Sequence, residues 1–348
     1  MKHMNRARLF FLPCIVGGLL LTSQGKAQNC VTQSQMPPAD RDTLASTSES
    51  LALKVLANDQ AGLKSATIPE FQSNFSGIGS AVTAAYQKMT GSHPEVEQVY
   101  ILDASETKKN DDGSAPDTEF ICSLTTSSKQ SAEADFSIRS LPPGRYAFSM
   151  VDFVGGSPYR LSMLLRQDGT DAPWKLAGLF IKQTVAAGHD GLWYWTQGRS
   201  MATNKQPWTS YVYFRQAQQL LQPADFVSSS HLEKLREEAS SAAPPEITNG
   251  IGPDAPLVVK GSDGSDYQII AVGPDSGLPN DKLDIALHRL ADPATTDPLA
   301  VQKRNRDAMS AFLALHPELR ESFHGIWVFA DAADRPSIAT EAAMNDIH

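Results

Sequence analysis

Two different hydrophobic periods divide this chain of 348 residues. In its first part, apolar side chains recur every three or four positions, which is typical of amphipathic helices. The apolar positions of two such stretches are Leu44, Leu51, Val55 and Leu63, and then Phe71, Phe75, Ile78, Val82 and Tyr86. The pattern predicts one helix over residues 37–63 and a second that stops at Gly91.

After the second helix the period changes to two, which is typical of strands. Six strand-length runs follow, separated by turn formers such as "PPG" and "GGSP": VEQVYILD, TEFICSLT, ADFSIRSL, GRYAFSMVDF, YRLSMLLRQ and WKLAGLFIKQ. Because most connections between them are short, neighbouring strands are predicted to pair as antiparallel hairpins. The alternation in "RLSMLLR" predicts a sheet with one packed face and one wet face.

Two helices followed by an antiparallel meander, residues 46–181, resemble the NTF2-like and cystatin-like α+β folds. The resemblance implies a curved sheet that wraps a long helix and leaves a cone-shaped pocket. Some members of these folds catalyse reactions in the pocket and many only bind, so the fold does not decide the function. No acid or base residue of the catalytic members has a motif match here, and none is carried over.

Residues 187–214 hold seven aromatic side chains. Their spacing predicts two helices, 191–204 and 207–221. The positions Tyr194, Gly198, Met201, Phe214 and Ala217 resemble a single tetratricopeptide-type helical hairpin. A lone repeat cannot bury its own face, so the hairpin is expected to pack on the sheet before it or on the helix after it. Most of the aromatic residues are therefore interpreted as packing residues, and the alternative is an exposed platform for a glycan or a peptide.

His189 and Asp190 stand immediately before this hairpin. Asp190 is expected to cap the helix by accepting backbone N–H groups. As a general-base pair, the two residues would need a third group and a pocket, neither of which is visible in the sequence. Together with Trp193 and Tyr194, they are the candidate ligand-binding residues of the chain.

The C-terminal part, residues 256–348, is predicted to be a small α+β module. It contains a hairpin around Asp263-Gly264, a third strand (283–291), a long helix (297–321), another strand (324–331) and a short last helix (340–347). Residues 241–255 are rich in Ala, Ser, Pro and Gly, which predicts a linker. The expected organisation is therefore an NTF2-like domain over 31–185, the hairpin with its following helix over 186–240, the linker, and this module.

Residues 1–27 have the pattern of a secretory signal peptide: a basic start, the apolar run "LFFLPCIVGGLLL" and a small-x-small site ending at Ala27. The apolar run is too short to span a bilayer of about 30 Å. The protein is therefore expected to be secreted or periplasmic, without membrane insertion once the signal is cleaved. In an oxidising compartment Cys30 and Cys122 either form one disulfide bond or stay as two thiols.

Charge and missing motifs exclude several functional classes. The net charge is −9, and removing residues 1–27 would take away four basic residues and no acidic one, which argues against nucleic acid as a partner. His288, His316 and His324 lack the spacing of a zinc site, and "GSDGSD" lacks the pattern of a calcium loop. The sequence has no G-x-S-x-G, H-E-x-x-H, C-x-x-C, Walker or dinucleotide motif. No metal and no cofactor is predicted.

These observations favour an exported, non-enzymatic protein of the bacterial envelope that binds a small molecule, a glycan or another protein. The chain resembles secreted bacterial proteins of this build. The alternative is a hydrolase or isomerase that uses a carboxylate or a histidine inside the cone. The lining of the pocket separates the two hypotheses: an apolar lining with polar groups only at its edge favours binding, and a buried acid or base with a shifted pKa favours chemistry.

Overall fold

The computed structural model describes residues 29–126, 129–169, 171–277 and 281–348. The predicted signal peptide lies outside these residues. The predicted α+β class is confirmed, because helices and mostly antiparallel sheets occupy separate segments of the chain. Within the described part, no helix is both long enough and apolar enough to cross a membrane.

In the N-terminal half the helices precede the six predicted strands, as expected, but each of the two predicted helices is broken into two. Its helices are α1 (Pro38–Leu56), α2 (Gln60–Ser65), α3 (Pro69–Gln72) and α4 (Ser76–Tyr86), followed by a 3-10 turn at Gln87–Met89. Its strands are β1 (Asn29–Thr32), β2 (His93–Asp103), β3 (Thr118–Thr126), β4 (Lys129–Ile138), β5 (Arg145–Val154), β6 (Tyr159–Gln167) and β7 (Lys175–Gln183). All six strands that the period of two predicted are present.

Their pairing differs from a simple meander. One antiparallel sheet has the order β1-β2-β5-β6-β7, and β3 and β4 leave it to form a second sheet with the short strand β10 (Val227–Ser228). The prediction that neighbouring strands pair is therefore wrong for β2 with β3 and for β4 with β5, and correct for β3–β4, β5–β6 and β6–β7. The physical reason is that β2 buries the successive residues Tyr100, Ile101 and Leu102, so both faces of the larger sheet need a cover. Helices cover one face, and the β3–β4 hairpin covers the other.

The helix-covered face is filled by apolar side chains. Leu44 and Val55 of α1 and Val82 of α4 meet Val151 and Leu161 of the sheet, and all five are completely buried. This is the space in which the NTF2-like resemblance implied a cone-shaped pocket. The resemblance to that particular arrangement stays a prediction.

A disulfide bond joins Cys30 of β1 to Cys122 of β3, with 5.1 Å between the two Cα atoms and 92 positions between them in the sequence. Of the two alternatives left open by the sequence, the structure has the bridge. Because β1 belongs to the larger sheet and β3 to the smaller one, the bond ties the two sheets together.

The helical hairpin consists of α5 (Gly191–Thr203) and α6 (Pro207–Leu221), after the two-residue strands β8 (Val185–Ala186) and β9 (His189–Asp190). The two helices approach closely at Gly198, where a Cβ atom would lie only 2.8 Å from Cδ1 of Phe214. Trp195 is 8% exposed and Phe214 is 1% exposed. The interpretation of these two rings as packing residues is confirmed.

The remaining elements begin with α7 (Ser230–Ala242) and α8 (Pro245–Thr248). The C-terminal sheet has the order β11-β12-β13-β14-β15, in which β13 and β14 are parallel and the other pairs antiparallel. Its elements are β11 (Leu257–Lys260), β12 (Asp266–Asp275), β13 (Asp284–Leu290), α9 (Pro298–Leu315), α10 (Leu319–Ser322), β14 (Gly325–Asp331) and β15 (Ile338–Ala343), with a final 3-10 turn at Met344–Asp346.

The predicted last helix over 340–347 is wrong. The first half of this segment belongs to β15, which pairs with β14 along its whole length, and only the turn after it is helical. Ala, Glu and Met favour helices in isolation, but the propensity of a short segment is a weak preference. The hydrogen bonds that the segment forms with the edge of β14 outweigh this helical propensity.

The helical hairpin and the C-terminal sheet share one hydrophobic cluster. Trp208 of α6 meets Phe312 of α9 edge to face at 5.4 Å, and the hydroxyl of Tyr213 donates to the carbonyl oxygen of Ser322. The helix after the hairpin, α7, adds Leu232 and Leu235, as predicted. Ile247 and Ile251, within the predicted linker, also pack against this cluster. The domain boundary at 241–255 stays a prediction.

A buried polar network joins α9 to the C-terminal sheet. Asn305 is completely buried, and its Oδ1 accepts a hydrogen bond of 2.7 Å from Nε of Arg289, which is itself 2% exposed. Its Nδ2 donates to the carbonyl oxygens of Val328 and Ile338 and to Oγ1 of Thr340. Burial, and then the charge of a neighbouring arginine, lower the pKa of Arg289 to about 10. The carboxamide of Asn305 thus compensates part of the cost of burying this cation.

Candidate functional site

A cavity of about 250 Å³ lies where the two N-terminal sheets meet the helices that follow them. The larger sheet contributes Tyr100, Phe148, Met150 and Arg160, and the smaller sheet Ala134, Phe136 and Val227. The helical side consists of Leu192 and Trp195 from α5, Leu221 from α6 and Leu232 from α7. Pro223 and the polar residues Ser228, Ser229 and His231 complete the lining, and these four are called its rim. The cavity is therefore bounded by eight separate elements of the chain.

Aromatic side chains line the sheet side of the cavity because alternate residues of a strand point to opposite faces of the sheet. On β2 and β5, the even-numbered residues Tyr100 and Phe148 point toward the smaller sheet, whereas their odd-numbered neighbours point toward the helices. Phe136 lies between them, with ring centroids 5.2 Å from Tyr100 and 5.1 Å from Phe148, both edge to face. Such edge-to-face pairs hold the rings in fixed orientations.

Arg160 is the charged residue of the cavity lining. It lies opposite Asp152 in the pairing of β6 with β5, and its Nε and Nη2 atoms donate to the two carboxylate oxygens at 2.7 Å each. These hydrogen bonds raise the pKa of Arg160, against the opposing effect of burial, and the charges of Asp152 and Glu97 raise it further. The guanidinium is therefore always protonated, and it is already paired.

Trp195 is held in the cavity wall by a second ion pair. Its Nε1 donates to Oε2 of Glu238 at 2.7 Å, and Arg199 donates from Nε and Nη2 to Oε2 and Oε1 of the same carboxylate at 2.6 and 2.9 Å. The Arg199 guanidinium also lies 4.5 Å from the centre of the indole ring. Because Trp195 and Arg199 are four residues apart on α5, one helix face presents both to Glu238 of α7.

The rim is formed by the start of α7. Oγ of Ser229 accepts a hydrogen bond from the backbone N–H of Leu232, which is the usual cap of a helix N-terminus. His231 is exposed beside it. Ser228 is hydrogen-bonded to both Glu233 and Arg236, so its hydroxyl is already paired with groups outside the lining.

Asp135 stands between two cavity residues in the sequence, but it lies on the other face of β4. Ala134 and Phe136 line the cavity, and the residue between them points away. Burial raises the pKa of Asp135, and the charges of Glu119 and Glu233 raise it further. Among the described residues, no Asp or Glu lines the cavity.

The four candidate ligand-binding residues lie together, but none of them lines the cavity. Asp190 caps α5 by accepting from the backbone N–H of Trp193 at 2.8 Å, as the sequence predicted. His189 stacks on the ring of Trp193 with centroids 3.6 Å apart. Tyr194 is buried and donates its hydroxyl to the carbonyl oxygen of Ala186, and burial raises its pKa well above the ordinary value. A ligand-binding role for these four residues stays a prediction.

The three C-terminal histidines are each engaged separately. His288 contacts Asp331 at 2.8 Å and His324 contacts Asp284 at 2.9 Å. His316 lies between the rings of Trp208 and Phe312, where burial lowers its pKa. Within the described ranges, no group of three or more His, Cys, Asp or Glu side chains could hold a metal ion.

No family model matches this chain, and searches of the curated proteins and of the solved structures find no similar protein either. The functional argument therefore rests on the geometry and chemistry of the cavity.

Proposed function

We propose that this chain is a binding protein that holds one small, mostly apolar molecule in the cavity between its sheets and helices. The observation that carries the proposal is the lining. Most of the lining side chains are aromatic or aliphatic, and the others are Arg160, Ser228, Ser229 and His231. This is the usual make-up of a small-molecule site, in which a few polar groups set the orientation of an apolar ligand.

The size of the cavity limits the ligand. Small-molecule sites commonly measure about 300–1,000 Å³, and an apolar cavity of about 150 Å³ holds benzene. At about 250 Å³, the cavity suits a molecule of two or three rings or a short branched chain. A long lipid chain or an oligosaccharide would not fit inside it.

The lining supports binding over catalysis. An acid–base mechanism needs a titratable group within hydrogen-bond reach of the reacting atom. Arg160 does not titrate near neutral pH, and Asp135, whose pKa is raised, faces away from the cavity. His231, the histidine of the lining, is exposed rather than enclosed with the apolar residues. These observations support the binding hypothesis over the hydrolase or isomerase.

The experiment uses N-phenyl-1-naphthylamine, a neutral dye whose emission rises when it leaves water. We expect saturable binding to the chain from Gln28 onward. Ala134→Leu, which extends a side chain into the cavity, should weaken binding by at least about tenfold, or about 1.4 kcal/mol. Trp193→Ala, which changes the aromatic cluster outside the cavity, is the matched control and should bind like the unchanged chain.

Two outcomes would overturn the proposal. One is the absence of saturable binding by a chain that melts cooperatively. The other is a loss of binding in Trp193→Ala but not in Ala134→Leu, which would move the site to the candidate residues around His189.

We also propose that the protein is exported. The support is the signal-like pattern of residues 1–27, together with the disulfide bond between Cys30 and Cys122, since such bonds persist mainly in oxidising compartments. The mature chain is expected to begin at Gln28. N-terminal sequencing of the protein from the periplasm or the medium tests this, and an uncleaved Met1 on protein recovered from the cytoplasm would contradict it.

A further inference from the structure

Arg160 faces two environments at once. Two of its nitrogens, Nε and Nη2, bind Asp152, and the side chain also lines the cavity. Its third nitrogen, Nη1, makes no hydrogen bond within the described part of the chain. A cation with one unused edge beside an apolar cavity is a donor for an acceptor on the ligand.

The net charge around this donor is not positive. Asp152 neutralises the guanidinium through a two-pronged pair, and Glu97 is near enough to act on the same group. His231, the other side chain of the lining that can carry a positive charge, is exposed at the rim. An anionic group on the ligand would lose its hydration inside the cavity without gaining an unpaired positive charge, which is unfavourable.

A neutral acceptor does not pay that cost. A carbonyl oxygen carries no net charge, so it loses less hydration free energy than an anion when it enters the cavity. A hydrogen bond that it accepts from a charged donor is roughly twice as strong as one from a neutral donor. Resting on the proposed binding function, we infer that the ligand is an uncharged apolar molecule whose carbonyl oxygen, from a ketone, an ester or an amide, accepts a hydrogen bond from Arg160.

The test compares three probes that share one two-ring body: naphthalene, 2-acetylnaphthalene and 2-naphthoate. Each is measured at pH 7.5 by displacement of N-phenyl-1-naphthylamine. The ketone should bind at least about tenfold more tightly than naphthalene, because it alone satisfies the free edge of Arg160 without bringing a charge. The carboxylate should bind no more tightly than naphthalene.

Asp152→Asn makes the test sharper, since it removes the neutralising charge but keeps the arginine. It should raise the affinity for 2-naphthoate by at least about tenfold and leave the affinity for naphthalene unchanged. The matched control is Asp168→Asn. Asp168 follows β6 and accepts two hydrogen bonds from Arg166, which lies on the same strand as Arg160, but neither Asp168 nor Arg166 lines the cavity. All three affinities should stay the same in this control.

The outcomes separate this inference from the proposed function. If the unchanged chain binds the dye but prefers 2-naphthoate, or binds the three probes equally, the role of Arg160 is overturned and the binding function stands. If Asp152→Asn does not fold, the order of the three affinities in the unchanged chain decides alone. A chain that binds neither the dye nor any probe overturns the binding function itself.

Discussion

The indole Nε1 of Trp195 donates a hydrogen bond of 2.7 Å to Oε2 of Glu238, and this contact links α5 to α7 at the wall of the cavity. The same indole ring is 8% exposed and covered on one side by the guanidinium of Arg199. Trp195 thus takes part both in the packing of the helices and in the shape of the cavity. Its contribution to stability and its contribution to binding can be measured separately.

Truncating the buried aromatic rings of the hairpin should destabilise the protein strongly. Trp195→Ala and Phe214→Ala each leave a cavity, and such changes cost about 3–5 kcal/mol of unfolding free energy. The control is Leu299→Ala, because Leu299 is 74% exposed and surface changes usually stay within about 0.5 kcal/mol. Urea denaturation followed by circular dichroism measures all three. Unchanged midpoints in both aromatic variants would mean that the rings are not packing residues.

The ion pair at Trp195 should make stability depend on acid pH. Hydrogen bonding from Arg199, and then from Trp195, holds the pKa of Glu238 below its usual 4.5, although burial opposes this. A carboxylate whose pKa is lowered on folding stabilises the protein above its unfolded-state pKa, and this stability is lost as the pH falls through the folded-state value. The unchanged chain should therefore be more stable than Glu238→Gln at pH 7, and the difference should shrink below about pH 4.5.

Arg199→Gln serves as the second variant in that experiment, since it removes the other half of the pair. Urea midpoints measured from pH 3 to pH 7 should give the same pH dependence for both variants. A difference between the unchanged chain and Glu238→Gln that is constant over this range would contradict the assigned pairing.

Loss of the disulfide bond should destabilise the fold without changing its secondary structure. The bond closes a loop spanning 92 positions, and in the chain-entropy account such a loop contributes about 4–5 kcal/mol. Cys30→Ser, in a chain that begins at Gln28, is compared with the unchanged chain in urea. Thiol titration of the unfolded, unreduced protein should detect no free thiol. Two free thiols there, or equal urea midpoints, would show that the bond does not form.

The buried network at Asn305 should be costly to break. Asn305→Ala removes the acceptor of Nε of Arg289 and leaves a nearly inaccessible charged group without that partner. Leaving a buried donor without its hydrogen-bond partner costs about 1–3 kcal/mol, and more when the donor is charged. Lys303→Ala, two residues away with its side chain 77% exposed, is the control and should change stability by less than about 1 kcal/mol. Equal urea midpoints for the two variants would refute the importance of the network.

The positions of most strands and helices could be predicted from the sequence, because they depend on local spacing. The strand YRLSMLLRQ, for example, coincides with β6. The order of the strands could not be predicted in the same way. Pairing of β2 with β5 depends on both faces of the sheet being covered, and the covering hairpin is part of the same chain. The residues of segment 340–347 predict a helix because they carry no information about the unpaired edge of β14 with which the segment forms hydrogen bonds.

The candidate site was much harder to predict. Tyr100, Arg160 and Trp195 lie far apart in the sequence, and no spacing connects them. The sequence points to the region of α5 as a binding site, but the candidate residues that it suggests lie at the start of this helix. There His189, Trp193 and Tyr194 pack on one another and not on the cavity. The helical stripe of Leu192, Trp195 and Arg199 is a signal in the sequence that points to the cavity. By itself, such a stripe indicates only a packed face.

The walls of the cavity come from two different hydrophobic clusters, one around Phe136 and Phe148 and the other around Trp195 and Leu232. An occupant touches both, so its binding free energy opposes the separation of the sheets from the helices. At a hundred times its dissociation constant, a ligand adds about 2.7 kcal/mol to stability. The two walls can also change independently over evolutionary time. Substitutions on α5 and α7 alone could alter which molecule the proposed site binds, while the sheet that holds Arg160 stays the same.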